Sequence, residues 1–514
     1  MSFFSANSMR EADAEVIAGG TPGTILMGRA SRGLAAEMVF LADGRPRPVV
    51  VCCGPGNNGG DGFGLALHLA NLGWPVEVWA AIPREKVKGD ALVFLKEAER
   101  SSARFHWWPG SPHWKEAERF LPPGAWLVDA LLGTGVTDAP RKTIGAAVEF
   151  LRREDAAHRV FAVDLPSGLN ADTGEAFDSD LCVRADHTLT LAGAKLGFEN
   201  DASAAWTGAV SVVDLGFEDD LLREKAEGDW RVFGAREARE TLSRRAAEEH
   251  KGTRGHVLVI GGSPGMTGSV CMSARAALRS GAGLVTVWTP ASCLATVDAS
   301  SPEIMAMGGP EGRDGALCDA PIEFDRFDAV LAGPGLRTTP GTERLIRRVV
   351  ETCRAPVVLD ADALSILAGI PEAARAREAP LFLTPHPGEM GRLLGVSANE
   401  VQLDRRGAVA RAREMYGAEV VLKGSRSRIA SGGEVWVSLN GNPGMATGGT
   451  GDVLAGMTVS LAGQGVSVER VLPAAVYAHG FAGDLAAMRT GQSGLVAGDV
   501  IEALLDVWRR IQGR

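Results

Sequence analysis

Residues Asn440–Gly456, NGNPGMATGGTGDVLAG, combine residue types that could perform chemistry. Gly444, Gly448, Gly449, Gly451 and Gly456 surround a single carboxylate, Asp452. Glycines let backbone N–H groups approach a ligand closely. From Val453 the chain turns apolar and helix-compatible, so Gly448 to Gly451 should open a helix. A helix N-terminus offers free N–H donors and partial positive charge, which suits a phosphate. A carboxylate beside a bound phosphate is unfavourable unless it works, for instance by taking a proton from a hydroxyl. A glycine-rich helix opening with Asp452 as a plain cap would give the same local pattern. Two features favour the chemical reading. LKGSRS (Leu422 to Ser427) is a second anion-friendly segment that follows an apolar run, with Lys423 at the strand end; AVYAHGFAGDL (Ala475 to Leu485) is a small-residue helix that permits close packing.

The first half of the chain places polar turns after apolar runs at Asn57–Asp61, Asp129–Asp138 and Asp164–Asn170. Ordinary turn chemistry favours Gly, Asn, Asp and Ser as well. Together, however, Asn58, Asp129 and Ser167 offer hard oxygens from separate strand ends, suited to an alkali or alkaline-earth cation. Asp164 is then a candidate acid or base. In the second half His386 lies between Pro385 and Pro387, with Glu389 nearby, in an extended turn where it can be a structural or a ligand-binding histidine. Lys251 can face solvent or phosphate.

These residues need elements that hold them. MREAD and its surroundings predict a helix over Ser8–Ala18, with Ser8 and Glu11 forming a capping box, and a second helix follows over Leu26–Leu41. Buried apolar runs at Pro48–Gly73, Pro75–Ile82, Ala125–Gly135, Arg159–Gly174, His187–Gly193 and Val210–Gly216 alternate with helical stretches at Asp90–Arg100 and Ile144–Arg153. That grammar predicts parallel strands in a Rossmann-like, doubly wound α/β domain, in which ligands bind at the strands' carboxyl ends. A charge-dense segment, residues 217–251, reads as a linker. Beyond it HVLVIGGSPGMTG, DAVLAGPGL, PVVLDADAL, LFLTPHPGEMGRLLG and AEVVLKGS repeat the α/β pattern in a second domain. The expected division is 1–220 and 221–514. The chain has 514 residues, too many for one ordinary core. A net charge of −10 argues against nucleic-acid or anionic-membrane partners. Seven cysteines without a C-x-x-C pair, no signal peptide and no spanning run lead us to expect a cytoplasmic protein. Self-association into a homo-oligomer is also expected.

Residues 8–216 resemble the NAD(P)H-hydrate epimerase family, the N-terminal domain of YjeF-type proteins, through GPGNNGGDG, DALLGTG, VDLPSGLNADTG and the opening MREAD. The resemblance implies potassium at Asn58, Asp129 and Ser167. It implies hydrate binding by Asn57, Asn58, Gly59, Gly60 and Asp61, by Gly133, Thr134, Gly135, Val136, Thr137, Asp138 and Ala139, and by Asp164. Gly28 and Asn170 depart from the family's usual acidic residues. Residues 240–510 resemble the ADP-dependent NAD(P)H-hydrate dehydratases, through HKGTRGHVLVIGGSPGMTG, GPGL, TPHPGEMGRLLG and GNPGMATGGTGDVLAG. Here the resemblance implies a ribokinase-like fold and Mg²⁺. Hydrate contacts fall on Ser269, Gly335, His386 and Asp452. ADP contacts fall on Lys423, Gly424, Ser425, Arg426, Ser427 and Gly451. Ser269 stands where the family more often has alanine.

The activity implied is repair of NADHX and NADPHX, cofactors hydrated across the 5,6 double bond of the nicotinamide ring. The first domain would interconvert the R and S epimers and the second would dehydrate the S form, consuming ADP. A small-molecule kinase of the hydroxyethylthiazole type shares the GTGD tetrad, and a non-catalytic nucleotide sensor would share both pockets.

Overall fold

A computed structural model describes residues 2–242 and 248–513. It divides into two compact units, Met1–Val232 and Phe233–Arg514. The division falls later than residue 220 because Glu227–Val232 forms a strand that pairs antiparallel with Ser2–Phe4. The centre of the charge-dense segment, 243–247, lies outside the described residues.

The strands of the first unit are β1 (Ser2–Phe4), β2 (Val49–Cys53), β3 (Val76–Ala80), β4 (Arg104–Trp107), β5 (Trp126–Ala130), β6 (Val160–Val163), β7 (His187–Leu191), β8 (Ala194–Lys195), β9 (Ala209–Val213) and β10 (Glu227–Val232). Seven of them make an all-parallel sheet in the order β4-β3-β2-β5-β6-β7-β9. Every residue of β2, β5 and β6 is buried. That accounts for their continuous apolar sequences: a parallel strand covered on both faces has no solvent side to alternate with. The chain leaves β2 in one direction towards β4 and returns in the other towards β9. The switch point therefore lies between β2 and β5, where a crevice opens beyond the strand ends. β1 pairs antiparallel with β10 and parallel with β8.

The sequence-based expectations hold for most elements, but the segment read as a linker, 217–251, carries the helices Asp219–Lys225 and Ala235–Thr241 on either side of β10, and two further readings fail. The first helix starts at Ala6 with Ser5 as its cap, whose hydroxyl accepts from the Ser8 N–H, so Ser8 is not the cap. β4, with the sequence RFHW, is absent from the sequence reading because four half-exposed residues carry no apolar run. It belongs to an aromatic core in which Trp79 meets Trp108 at 4.4 Å and Phe150 at 5.5 Å between ring centroids.

In the second unit the strands are β11 (His256–Ile260), β12 (Leu284–Pro290), β13 (Met305–Gly309), β14 (Ala329–Ala332), β15 (Val357–Leu359), β16 (Leu381–Leu383), β17 (Glu419–Leu422), β18 (Arg428–Ser431) and β19 (Glu434–Val437). They run in the order β13-β12-β11-β14-β15-β16-β17-β18-β19, parallel as far as β17 and antiparallel beyond it. A second switch point falls between β11 and β14. Helices pack against this mixed sheet, among them Thr450–Gly463 against β14.

The helix that opens after the glycine motif spans Thr450–Gly463 and packs against the helix Thr267–Arg279. Gly456 makes that approach possible: a Cβ there would stand 2.1 Å from the Ser273 carbonyl oxygen. The glycines of the motif therefore have different duties, and this one is structural. Gly456→Ala is expected to cost about 1–3 kcal/mol through overpacking against rigid backbone. A chemical-denaturation midpoint equal to that of the wild type would refute the close contact.

Candidate active sites

Gly449 has φ +93° and caps the helix Thr450–Gly463, an αL geometry open to glycine. The first turn behind it carries Asp452. The Thr450 hydroxyl donates to the carbonyls of Met445 (2.9 Å) and Thr447 (3.0 Å), which folds the loop back on its own helix. Asp484, in the helix Val468–Thr490, fastens the other end of the loop. Its carboxylate accepts from the Gly441 N–H at 2.9 Å and from Asn442 Nδ2 at 3.0 Å. The small-residue helix is thus the anchor of the glycine loop.

Asp452 faces a buried charge cluster drawn from three strand exits. Lys423, just beyond β17, donates to Asp360 Oδ1 at 2.8 Å and stands 3.8 Å from Glu389 Oε2. Asp360, after β15, and Glu389, in the helix after β16, are both buried. A Cβ on Gly451 would stand 3.2 Å from Lys423 Nζ, so the cluster lies directly beneath the helix opening. Burial and then the charge of Asp360 push the Asp452 carboxyl up to about 6, against a hydrogen bond from Ser269 and the attraction of Lys423. Burial disfavours the Lys423 ammonium, but Asp360, Glu389 and Asp452 outweigh it and raise its pKa. A carboxylate poised near 6 beside free helix N–H groups is equipped to accept a proton next to a phosphate.

The other residues expected at this site divide. The Gly335 carbonyl accepts from buried Ser263 at 2.9 Å, at the exit of β14. Gly424 to Ser427 form a tight turn: Arg405 donates to the Ser425 carbonyl, and the Ser427 hydroxyl donates to the Gly424 carbonyl at 3.0 Å. Arg426 is buried and donates to the Leu439 carbonyl at 3.0 Å, so its charge faces the protein interior. Lys423 is likewise turned into the carboxylates. Asp360 is the member of this cluster that the sequence reading missed. Its signal, a lone carboxylate closing the apolar run PVVLD, matches the one that singled out Asp129.

In the first unit a cavity of about 630 Å³ opens at the switch point. Asn57, Asn58, Asp61, Gly133, Thr134, Gly135, Val136 and Asp164 line it; Gly59, Gly60, Thr137, Asp138 and Ala139 do not. Gly60 packs against Met27 and Ala91, and exposed Asp138 stands 3.7 Å from Arg141. Asp164 is a non-glycine residue at φ +65°, a conformation that persists only where neighbours enforce it. The enforcement is an ion pair with fully buried Lys195 at 2.6 Å and a hydrogen bond from the Leu191 N–H at 3.1 Å.

Asn58, Asp129 and Ser167 do meet. Asp129 is completely buried and accepts from the Ser167 hydroxyl and N–H, both at 2.7 Å, and from the Leu131 N–H at 3.1 Å. Burial pushes its carboxyl up to about 6 despite those bonds. The Asn58 amide donates to the Leu132 carbonyl at 2.9 Å, while its buried Oδ1 has no hydrogen-bond partner. A buried carboxylate without a basic partner beside an orphaned amide oxygen fits a hard monovalent cation. Among the described residues no cluster of three or more His, Cys, Asp or Glu could hold a metal by itself.

A pocket at the switch point of the first unit, and in the second a carboxylate in the first turn of a helix beside a buried charge cluster, define a two-site α/β enzyme. Residues 23–197 match the family model of the YjeF-related protein N-terminus, and residues 257–505 match that of NAD(P)H-hydrate dehydratase. The chain is 38% identical to the bifunctional NAD(P)H-hydrate repair enzyme Nnr of Moorella thermoacetica, over 96% of this chain and 93% of that one. It is 37% identical to the Coxiella burnetii enzyme of the same name, over 98% of both chains. An ADP/ATP-dependent NAD(P)H-hydrate dehydratase of Bacillus subtilis, co-crystallised with ATP and Mg²⁺, is 31% identical. The match covers 56% of this chain and 100% of that one, with a TM-score of 0.49. The chain belongs to the family of bifunctional NAD(P)H-hydrate repair enzymes.

His386 is the N-cap of the helix Pro387–Leu394, where its Nδ1 accepts from the N–H groups of Gly388 (3.0 Å) and Glu389 (3.3 Å). The Glu389 carboxylate accepts from the His386 N–H at 2.8 Å, completing a capping box. With Nδ1 occupied as an acceptor, Nε2 carries the proton, and the ring is half exposed. His386→Ala should lower stability by about 1 kcal/mol through loss of the cap, whereas His386→Asn should restore it. Urea denaturation of both variants checks this; equal loss in both would remove the capping role.

Proposed function

We propose that the first unit interconverts the R and S epimers of NADHX and NADPHX, and that the second dehydrates the S form to NADH or NADPH while ADP becomes AMP and phosphate. The observation that carries the second half is the half-buried Asp452 carboxylate in the first turn of the helix capped by Gly449. Hydroxide is a poor leaving group at neutral pH. Asp452 takes the proton of the substrate's 6-hydroxyl, and that oxygen attacks the terminal phosphorus of ADP, releasing AMP. Phosphate then leaves with the C6–O bond as C5 loses a proton, and the ring double bond returns. The N–H groups at the helix opening hold the phosphoryl charge that develops. Ser269 orients Asp452, and Lys423 tempers the field of Asp360 and Glu389.

Mg²⁺ would supply charge neutralisation on the ADP phosphates. With Asp360 and Glu389 engaged by Lys423, it fits best as an ion held chiefly by phosphate oxygens and water. Potassium fits the site of Asn58, Asp129 and Ser167, where it would neutralise Asp129 and tie the β2, β5 and β6 exits together. Free thiols at all seven cysteines suit a reducing, cytoplasmic setting, and no helix of the described residues is long and apolar enough to cross a membrane.

The direct test is absorbance of the reduced nicotinamide ring on adding enzyme and ADP to the hydrate, with AMP and phosphate measured alongside. A kinase would yield a stable phosphorylated product and no NADH. Asp452→Asn is expected to lower dehydration about 10²- to 10⁴-fold with ADP affinity nearly unchanged. Full activity in that variant would remove Asp452 from the reaction.

A separate expectation concerns the cation. At pH 7.5 potassium should raise the melting temperature of the wild type relative to a bulky organic cation. At pH 5, below the Asp129 titration near 6, the gain should shrink, because the protonated carboxyl no longer needs a counter-ion. Asp129→Asn should abolish the difference, and an unchanged potassium effect in that variant would place the ion elsewhere.

A further inference from the structure

The epimerase pocket holds more acid than its expected site residues account for. The charged groups lining it are Arg10, Asp13, Asp61, Asp90, Asp164 and Lys195. Asp13 comes from the helix Ala6–Ala18, within the MREAD sequence, and Asp61 from the helix Asn57–Asn71. The one buried ammonium is already committed. Lys195 pairs with Asp164 at 2.6 Å and donates to the Thr190 hydroxyl (3.0 Å) and the carbonyls of Leu191 and Gly193 (both 3.1 Å). Asp164 in turn accepts at Oδ1 from Lys195 and from the Leu191 N–H, contacts that fix its carboxylate in place.

Asp13 and Asp61 have no such cation. Burial first, and then the negative charge of Asp164, drives both towards the protonated form, with Lys195 pulling Asp13 back in part. Asp61 is raised well above the usual carboxyl range, and Asp13 to about 6. Asp61, the more enclosed of the two and faced by both Asp164 and Asp13, is therefore the carboxyl driven harder to keep a proton, while Asp13, less enclosed and eased by Lys195, ionises more readily. Carboxyl groups that share one cavity and are driven apart in protonation are the mark of an acid and a base.

We propose that Asp13 and Asp61, rather than Asp164, are the proton-transfer pair of the epimerase, Asp13 as base and Asp61 as acid. The assignment rests on the epimerase reading above. The hydrate carries its 6-hydroxyl on a carbon bonded to the ring nitrogen. Asp13 takes the hydroxyl proton, the O–H electrons form C6=O, and the C6–N1 bond breaks with its electron pair going to N1. N1 receives the proton of Asp61. Half a turn about C5–C6 presents the other face of the aldehyde; N1 re-adds, its proton returns to Asp61, and the new alkoxide recovers its proton from Asp13. No oxidant, reductant or co-reactant is consumed. Asp164 and Lys195 act as positioning residues whose fixed pair sets the field.

The test uses the full chain and measures epimer interconversion by chromatography above the uncatalysed rate. Asp13→Asn and Asp61→Asn keep side-chain shape and are each expected to lower kcat about 10²- to 10⁴-fold while KM moves less than about threefold. In the wild type, kcat/KM should fall on the acid side near pH 6 as Asp13 takes up a proton, and this limb should be missing from the residual activity of Asp13→Asn. Formate should restore part of the rate to Asp13→Ala, a rescue that a packing role would not allow. Wild-type kcat in either Asn variant, or an intact acid limb in Asp13→Asn, overturns the assignment while leaving the epimerase reading in place. A wild type that does not interconvert the epimers overturns both.

Discussion

The constraint on which both halves of this protein depend is the cost of buried carboxylate charge at the ends of parallel strands. Asp129, Asp164 and Asp360 each follow an apolar strand into a region that water hardly reaches. An ionised carboxylate there must find a cation, find hydrogen-bond donors, or take up a proton. The three residues use different solutions. Asp164 and Asp360 are met by Lys195 and Lys423, at 2.6 and 2.8 Å. Asp129 has donors from Ser167 and Leu131 but no basic side chain, and its carboxyl is raised to about 6. What remains unneutralised is where chemistry becomes possible.

The lysines explain why some carboxylates can work and others cannot. Lys423 belongs to Asp360 and Glu389, which leaves Asp452 with a raised carboxyl and a single hydroxyl, Ser269, to orient it. Lys195 belongs to Asp164, while burial raises the carboxyls of Asp13 and Asp61 beside it. In each unit an ion pair that looks structural sets the titration of its neighbours. The architecture is economical in another sense. The switch point between β2 and β5 brings loops from non-consecutive strands into one crevice, so residues far apart in the chain share a pocket.

How much of this could be read from the chain varies with the kind of signal. The parallel strands were legible because double-sided burial leaves runs such as VVVCC and VFAV with nothing polar in them. The glycine motif was legible because its glycines precede a helix with one carboxylate in the first turn. β4 was not, since RFHW is short and half-exposed and earns its place only by packing beside Trp79. The cap at Ser5 rather than Ser8 differs by one helical turn, and either serine satisfies the local pattern; pairing of Phe3 and Phe4 with β8 decides where the strand ends and the helix can begin.

The sequence by itself determined the α/β alternation and which residue types stand at the strand exits, because those follow from local periodicity and spacing, and its glycine-rich motifs carried the resemblance to the family. The direction in which a side chain points there came only from the tertiary structure. Arg426 and Lys423 read as phosphate ligands in LKGSRS, yet one is turned to the Leu439 carbonyl and the other to Asp360. Asp164 reads as a free acid or base, yet it is locked to Lys195, which lies on a different strand. Partnership and dielectric environment are properties of the assembled fold, and they decide which of several identical carboxylates keeps a proton to give.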